Sequence, residues 1–190
     1  AKMQKLRATL LVEDASLASD LLWQAVLPFF HVGGFQVLVR SVCSRWPLRI
    51  YERFDAAAVL RDAEVMHATH ISVVDKMLQD MLNARPSALA QYECVLLGGG
   101  PLNAKTVARA LEAEGRVYAS YGMTETSSMI ACAPITRGFD GGLRMLPGYL
   151  VHIVQPDKQG VGLYAAADYD ELVDCPVELG NFWVGRLKAC

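Results

Sequence analysis

The sequence lacks several features that would place a protein in a class at once. No Gly-Lys pair occurs in it, which excludes a Walker phosphate loop. Its 5 cysteines form no C-x-x-C pair and are widely spaced, which argues against a disulfide framework or a structural zinc site. They are Cys43, Cys94, Cys132, Cys175 and Cys190. Free thiols in a reducing, cytoplasmic compartment are therefore expected.

Excess charge and long apolar runs are also missing. The 18 basic and 20 acidic residues give a net charge of −2, which argues against binding of nucleic acid or anionic membrane. The longest apolar stretch, Leu21–Val39, is broken by Pro28, His31 and Gly33, so it falls short of the roughly 20 continuous residues of a membrane span. The run Ala8–Val12 is too short for a secretory signal. Apolar side chains are nevertheless abundant, at 53% of residues, which excludes disorder.

The middle of the chain alternates strand-like and helix-like segments. Strands are predicted over 21–30, 48–51, 68–74, 93–97 and 116–120. Helices are predicted over 34–45 and after the capping residues Asp55, Asp75 and Asn103, the last ending at Gly115. This alternation predicts an α/β fold with βαβ units and a mostly parallel sheet over 1–137. Frequent glycines after Gly138 predict a smaller antiparallel β-rich region over 138–190.

Three predicted loops follow strands, at 31–34, 98–101 and 121–128, where open α/β sheets bind their ligands. In the third loop, Tyr121 offers a flat face to a purine and Gly122 lets the backbone approach a ligand. Thr124 offers a hydroxyl to a phosphate, and Glu125 offers an oxygen to magnesium. A capped turn without function is the alternative for this loop.

Other motifs are incomplete. The glycines at 98–100 do not complete G-x-G-x-x-G, because Asn103 stands at its last position. The hydrolase pattern G-x-S-x-G around Ser120 has Tyr118 in place of its first glycine. His67 and His70 have no suitable carboxylate or cysteine nearby, which favours a structural pair over a metal site.

The ordered set of motifs carries a family resemblance. L-P-x-F-H at 27–31, G-G-G-P at 98–101 and Y-G-M-T-E-T-S-S at 121–128 resemble the adenylate-forming superfamily of acyl- and aryl-CoA ligases, luciferases and peptide-synthetase adenylation domains. Within it, the chain is most similar to the o-succinylbenzoate–CoA ligases of menaquinone biosynthesis. The segment 69–78 also resembles that family, with Val74 where proline is usual. The likeness runs from about Leu22 to Val154.

The resemblance implies a two-step reaction. A carboxylate attacks the α-phosphate of ATP, with magnesium present, to give an acyl-adenylate and pyrophosphate, and the thiol of coenzyme A then displaces AMP. Catalysis would consist of alignment and charge neutralisation. A ligase for a fatty or aryl acid is one alternative, and a degenerate module that binds only a nucleotide or a partner is another. A homo-oligomer is compatible with the sequence.

The resemblance also implies residue roles. Those assigned to the nucleotide are Gly98, Gly99, Gly100, Pro101, Ser120, Tyr121, Gly122, Met123, Asp168 and Arg186. Thr124 would contact the α-phosphate and Glu125 would bind magnesium. His31 would line the carboxylate pocket together with Gly99 and stabilise negative charge, although a buried strand-end histidine is its alternative. Ser127 and Ser128 would bind the polar end of an aromatic dicarboxylic acid.

The sequence departs from the family pattern in two places. The family binds the triphosphate with a Ser/Thr/Gly-rich loop ahead of L-P-x-F-H, whereas no glycine here precedes Gly33. The segment 182–188 resembles only the hinge before the family's mobile lid, and Lys188 lies too close to the hinge to be the lid lysine. We therefore expect these 190 residues to bind adenine nucleotides weakly and to show little or no turnover.

Overall fold

Seven strands form one mixed sheet in the computed structural model, which describes residues 21–146 and the backbone of two later strands at 150–157 and 160–166. The strands are β1 (Trp23–Ala25), β2 (Leu48–Ile50), β3 (His70–Val73), β4 (Cys94–Leu97), β5 (Val117–Met123), β6 (Ser128–Pro134) and β7 (Arg144–Met145). They lie in the order β2-β1-β3-β4-β5-β6-β7. The first five strands pair in parallel, whereas β6 pairs antiparallel with β5 and with β7, so the predicted mostly parallel α/β sheet is confirmed.

Helices cover both faces of this sheet. They are α1 (Val32–Ser44), α2 (Ala56–Met66), α3 (Asp75–Ala84) and α4 (Ala104–Glu112), with a 3₁₀ helix at Pro86–Gln91. Buried residues of α2, α3, α4 and the 3₁₀ helix share one core cluster with Ile71, Val95 and Val117 of the sheet. Helix α1 packs on the other face, where Val37 joins Trp23 and Leu96. Strands buried on both faces explain the continuous apolar runs in the sequence.

Two of the predicted helix caps are confirmed. The carboxylate of Asp55 accepts a hydrogen bond from the Ala58 amide at 2.7 Å. The side-chain oxygen of Asn103 accepts from the amides of Lys105 and Thr106 at 3.0 and 3.3 Å. Each bond satisfies an amide that has no partner within the first helical turn.

Two other helix ends differ from the prediction. Val74 precedes α3, so Asp75 is its first helical residue, and its carboxylate accepts from Gln79 instead. At the end of α4 the left-handed residue is Glu114, with φ of 56°, rather than Gly115. Gly115 is needed for packing: a Cβ there would lie 3.0 Å from the Ala110 carbonyl oxygen.

Strand lengths also required correction. The predicted strand over 21–30 shrinks to three residues, because Pro28 lacks an amide hydrogen and its carbonyl accepts from His31 in a turn. Strand β6 was missed, and much of the predicted loop 121–128 belongs to β5 and β6. Strand β7 joins the main sheet, while β8 (Leu150–Asp157) and β9 (Gly160–Ala166) form the expected antiparallel pair. The division at 137/138 stays a prediction.

A buried polar network lies under the α2 side of the sheet. The amide nitrogen of Gln24 donates to the Tyr51 hydroxyl at 2.6 Å and to the Val59 carbonyl at 2.9 Å. The Tyr92 hydroxyl donates to the Gln24 oxygen at 2.6 Å, and that of Tyr51 donates to Asp62. Gln24 is 1% exposed, so these bonds offset the loss of water from its amide.

No helix within the described residues is long and apolar enough to cross a membrane.

His70 gives the fold a pH dependence. It is buried on the α1 side, with its ring 5.1 Å from that of Trp23, and burial lowers its pKa from 6.5 to about 4. The unfolded chain takes up this proton below pH 6.5, whereas the folded chain resists it down to about pH 4. We expect the free energy of unfolding to fall by ~3 kcal/mol across that interval, with no contribution from this residue above it.

Urea denaturation across that pH interval measures the effect. His70→Gln should remove the extra pH dependence, and His67→Gln is the control because His67 is exposed. Equal slopes of stability against pH in the parent chain and His70→Gln would contradict the assignment.

Candidate functional site

A cavity of about 480 Å³ opens at the carboxyl end of the parallel strands. It lies beside β1, β3 and β4, where the strand order switches direction, because β2 pairs with one side of β1 and β3 with the other. Chain segments leaving adjacent strands diverge at such a point and leave a crevice between them. The turn after β1, the start of α1 and the β5–β6 hairpin complete the walls.

The structure brings together about half of the residues predicted for the site. Those that line the cavity are His31, Gly98, Gly99, Ser120, Gly122, Thr124 and Ser128. Described residues that do not line it are Gly100, Pro101, Tyr121, Met123, Glu125 and Ser127. Asp168 and Arg186 lie outside the described residues. His31 is exposed immediately before α1, so the alternative of a buried strand-end histidine is wrong.

Two polar residues in the cavity wall were missed by the sequence reasoning. Arg40 is 4% exposed on α1, and Ser72 is 6% exposed on β3. The Ser72 hydroxyl has no hydrogen-bond partner among the described residues. A signal existed for both: Arg40 shares the buried stripe of α1 with Gly34 and Val37, and Ser72 interrupts a strand buried on both faces.

The remaining wall is mainly apolar. It includes Leu27, Val32, Val73, Val74, Met77, Leu96 and Met129. Arg40 therefore places a positive charge in surroundings of low polarity, where charge interactions are stronger than in water. That charge reaches Cys94 and Cys132, and it opposes the burial that raises the pKa of the Cys94 thiol to about 12.

The floor of the site is held by Ser120. Its hydroxyl donates to the Leu97 carbonyl at 3.1 Å, next to the point where β4 enters the glycine loop. A Cβ at Gly98 would lie 2.4 Å from the Ser120 hydroxyl oxygen, so a larger residue there would displace this hydroxyl. Ser120 thus supports the loop as well as lining the cavity.

The β5–β6 hairpin carries Thr124 and Glu125 at its tip. The turn is closed by a hydrogen bond from the Ser127 amide to the Thr124 carbonyl at 3.0 Å. The pairing register shifts between Tyr121 and Gly122, which leaves Ile130 of β6 as an extra residue without a partner in β5. A Cβ at Gly122 would fall on the Ser128 carbonyl oxygen, so this close approach also requires glycine.

Tyr121 and Glu125 form a second group outside the cavity. The phenol of Tyr121 is half-buried, and its pKa is raised by that burial and by the negative charge of Glu125. Among the described residues, no group of three or more His, Cys, Asp or Glu side chains could hold a metal ion. A magnesium ion at Glu125 would therefore take its remaining oxygens from a bound ligand and water, as this cation commonly does.

The sequence profile described as "AMP-binding enzyme" matches residues 3–163. The chain belongs to this family. Over 120 residues it is 36% identical to the 2-succinylbenzoate–CoA ligase of Enterococcus faecalis, covering 62% of this chain. It spans 25% of that protein's length, so this AMP-binding chain corresponds to about a quarter of the curated relative.

Solved structures agree with the fold of this AMP-binding chain. O-succinylbenzoate coenzyme A synthetase from Bacillus subtilis, in complex with ATP and magnesium ion, matches with a TM-score of 0.75 and 24% identity, over 90% of this chain and 37% of that one. The same enzyme in complex with the acyl-adenylate intermediate OSB-AMP matches with a TM-score of 0.70 and 25% identity, over 85% and 44%. The predicted family and fold are thereby confirmed.

Proposed function

We propose that this chain forms the acid- and adenylate-binding part of an ATP-dependent acid–CoA ligase, acting on 2-succinylbenzoate. The observation that carries the proposal is the cavity at the sheet's switch point, with the hairpin hydroxyls at its mouth and the buried cation Arg40 in its wall. The names of the relatives support the substrate, and their bound ATP and acyl-adenylate support the reaction class.

The geometry suits the first step of such a reaction. The carboxylate of the acid attacks the α-phosphorus of ATP, the bond to the bridging oxygen breaks, and pyrophosphate leaves. Thr124 can donate a hydrogen bond to an α-phosphate oxygen, because its hydroxyl is exposed and lines the cavity. His31, also in the cavity wall, can donate to the attacking carboxylate and hold its orientation. Donors fixed before the reaction lower the barrier, since they need not reorganise.

The interior of the cavity suits the other end of a dicarboxylic acid. The aromatic ring would lie against Leu96, Met129 and other apolar side chains, where contact favours it. The flexible succinyl arm can then reach the mouth, while the ring carboxylate lies near Arg40 and Ser72. A charged acceptor would satisfy the unpartnered Ser72 hydroxyl and be neutralised by the guanidinium.

Glu125 is the described residue best suited to hold magnesium. Its exposed carboxylate lies at the hairpin tip, next to Thr124, and magnesium prefers such oxygens together with phosphate. When bound, the ion would neutralise charge on the leaving pyrophosphate. Tyr121 and the backbone of Gly100 and Pro101, outside the acid cavity, are the proposed nucleotide contacts. The roles of Asp168 and Arg186 stay predictions.

Calorimetric titration of the chain with ATP and magnesium tests the proposal. The parent chain should bind, and Glu125→Ala should lose the magnesium-dependent part of the affinity, roughly tenfold, because one charged ligand is removed. Glu112→Ala is the matched control, since Glu112 is an exposed carboxylate on α4. The absence of binding by the parent chain, or identical magnesium dependence in Glu125→Ala, would contradict the proposal.

A ligase for a monocarboxylic fatty or aryl acid is the second candidate, and the largely apolar cavity wall favours it. Arg40 separates the candidates, because a second carboxylate in the cavity could bind its guanidinium, whereas a monocarboxylic acid has no such group.

A further inference from the structure

Thr126 lies beneath the turn that joins β5 to β6, and it is 5% exposed. Its hydroxyl accepts a hydrogen bond from the Met123 amide at 3.1 Å. The same oxygen lies 2.8 Å from the Ser128 carbonyl oxygen and 3.1 Å from that of Met123. A hydroxyl has one proton, so donation to Ser128 over the shorter distance is favoured. The side chain therefore ties the end of β5 to the start of β6.

The segment that Thr126 ties down has an unusual backbone. Ser127 and Ser128 have φ of 55° and 92°, a region that residues with a side chain seldom occupy. Such conformations persist only where surrounding contacts impose them. Here the Ser128 carbonyl is held on one side by the Thr126 hydroxyl and approaches Gly122 closely on the other.

We propose that Thr126 is a positioning residue for the nucleotide, an inference that rests on the proposed function. Thr126 does not line the cavity, whereas Thr124 and Ser128 do. Its hydroxyl fixes the ends of the turn, so that Thr124 faces the cavity and Glu125 lies at the tip before any ligand binds. The ligand then does not have to order the loop. The conformational entropy of these residues is then lost when the chain folds rather than when the ligand binds.

Three variants test the role. Thr126→Val keeps the size of the side chain and removes the hydroxyl, and Thr126→Ser keeps the hydroxyl. Thr106→Val is the control: Thr106 is 2% exposed on α4, and its hydroxyl accepts from Gln79 at 3.3 Å. Each is measured by urea denaturation, by titration with ATP and magnesium, and by backbone amide hydrogen exchange over residues 123–128.

Thr126→Val is expected to bind ATP with magnesium about tenfold more weakly, with faster exchange at the Met123 amide. Thr126→Ser should stay within roughly twofold of the parent chain in affinity. Thr106→Val should lose stability only. Unchanged affinity in Thr126→Val, or an equal loss in Thr106→Val, would overturn the inference.

The inference can be judged separately from the proposed function. If the parent chain binds no nucleotide, the proposed function fails, and unchanged exchange in Thr126→Val would then overturn the positioning role as well. Faster amide hydrogen exchange in Thr126→Val, confined to residues 123–128, would support the role of the Thr126 hydroxyl in linking β5 to β6. Should Thr126→Val not fold, Thr126→Cys, with a weaker donor, is expected to give an intermediate loss of affinity, and parent-like affinity would overturn the role.

Discussion

Arg40→Met is expected to weaken binding of 2-succinylbenzoate about 100-fold while the chain stays folded. The guanidinium is the charged group in the wall of an otherwise largely apolar cavity, so its replacement would leave a bound carboxylate without a counter-charge. A hydrogen bond between charged groups in such surroundings contributes roughly 1.5–3 kcal/mol. Methionine fills similar volume. Because the guanidinium also interacts within the fold, urea denaturation of Arg40→Met separates a loss of stability from the loss of affinity.

The measurement is calorimetry with two ligands. 4-Oxo-4-phenylbutyrate lacks the ring carboxylate of 2-succinylbenzoate, so its affinity should change by less than about threefold in Arg40→Met. Arg61→Met is the control, because Arg61 is exposed on α2, across the sheet from the cavity. Equal losses for both ligands would assign Arg40 to the carboxylate they share. No loss for either would favour the monocarboxylic acid ligase.

Gly122→Ala is expected to lower the free energy of unfolding by about 2–3 kcal/mol and to abolish nucleotide binding. The added Cβ would fall on the carbonyl oxygen of Ser128, and the nearby atoms are backbone, which cannot rotate away. The strands of the hairpin would have to separate. That movement would displace Thr124, and it would break the hydrogen bond from Thr126 to Ser128.

Urea denaturation and titration with ATP and magnesium measure the two effects. Gly138→Ala is the control, since a Cβ at Gly138 would meet nothing within 4 Å. It should change stability by less than ~0.5 kcal/mol. A Gly122→Ala chain as stable as Gly138→Ala would show that the hairpin tolerates a wider separation.

Much of the fold could be predicted because its determinants are local. Asp55 and Asn103 accept from amides only two or three residues further along, so their capping roles are visible in sequence. The apolar strands and the helices between them indicated a parallel sheet. Predictions failed where the structure of a segment depends on contact with another segment far along the chain. Strand β6 exists because it pairs with β5 and places Ile130 in the interior, and no local periodicity shows that pairing.

The residues of the site also fall into those that local sequence predicts and those that it does not. His31, Gly98 and Thr124 could be found because they lie in motifs that follow predicted strands, and the cavity is where those strands end. The helical spacing of Arg40 and the apolar run around Ser72 indicated that both are buried, but the sequence does not show which buried side chains face a cavity. Tyr121 and Glu125 fall outside the cavity, since side chains of an extended chain alternate between two faces and Ser120, Gly122 and Thr124 take the inward one.

The sequence by itself determined the family, the class of sheet and the loops that carry the polar groups. These depend on residue type and short spacing, which a linear chain shows directly. Only the tertiary structure decided that a buried arginine and an unpartnered serine stand in the cavity wall, and that Thr126 holds the hairpin from beneath. The reason is physical: burial and hydrogen-bond partners are properties of packing between distant segments, so they arise only when the strands are assembled.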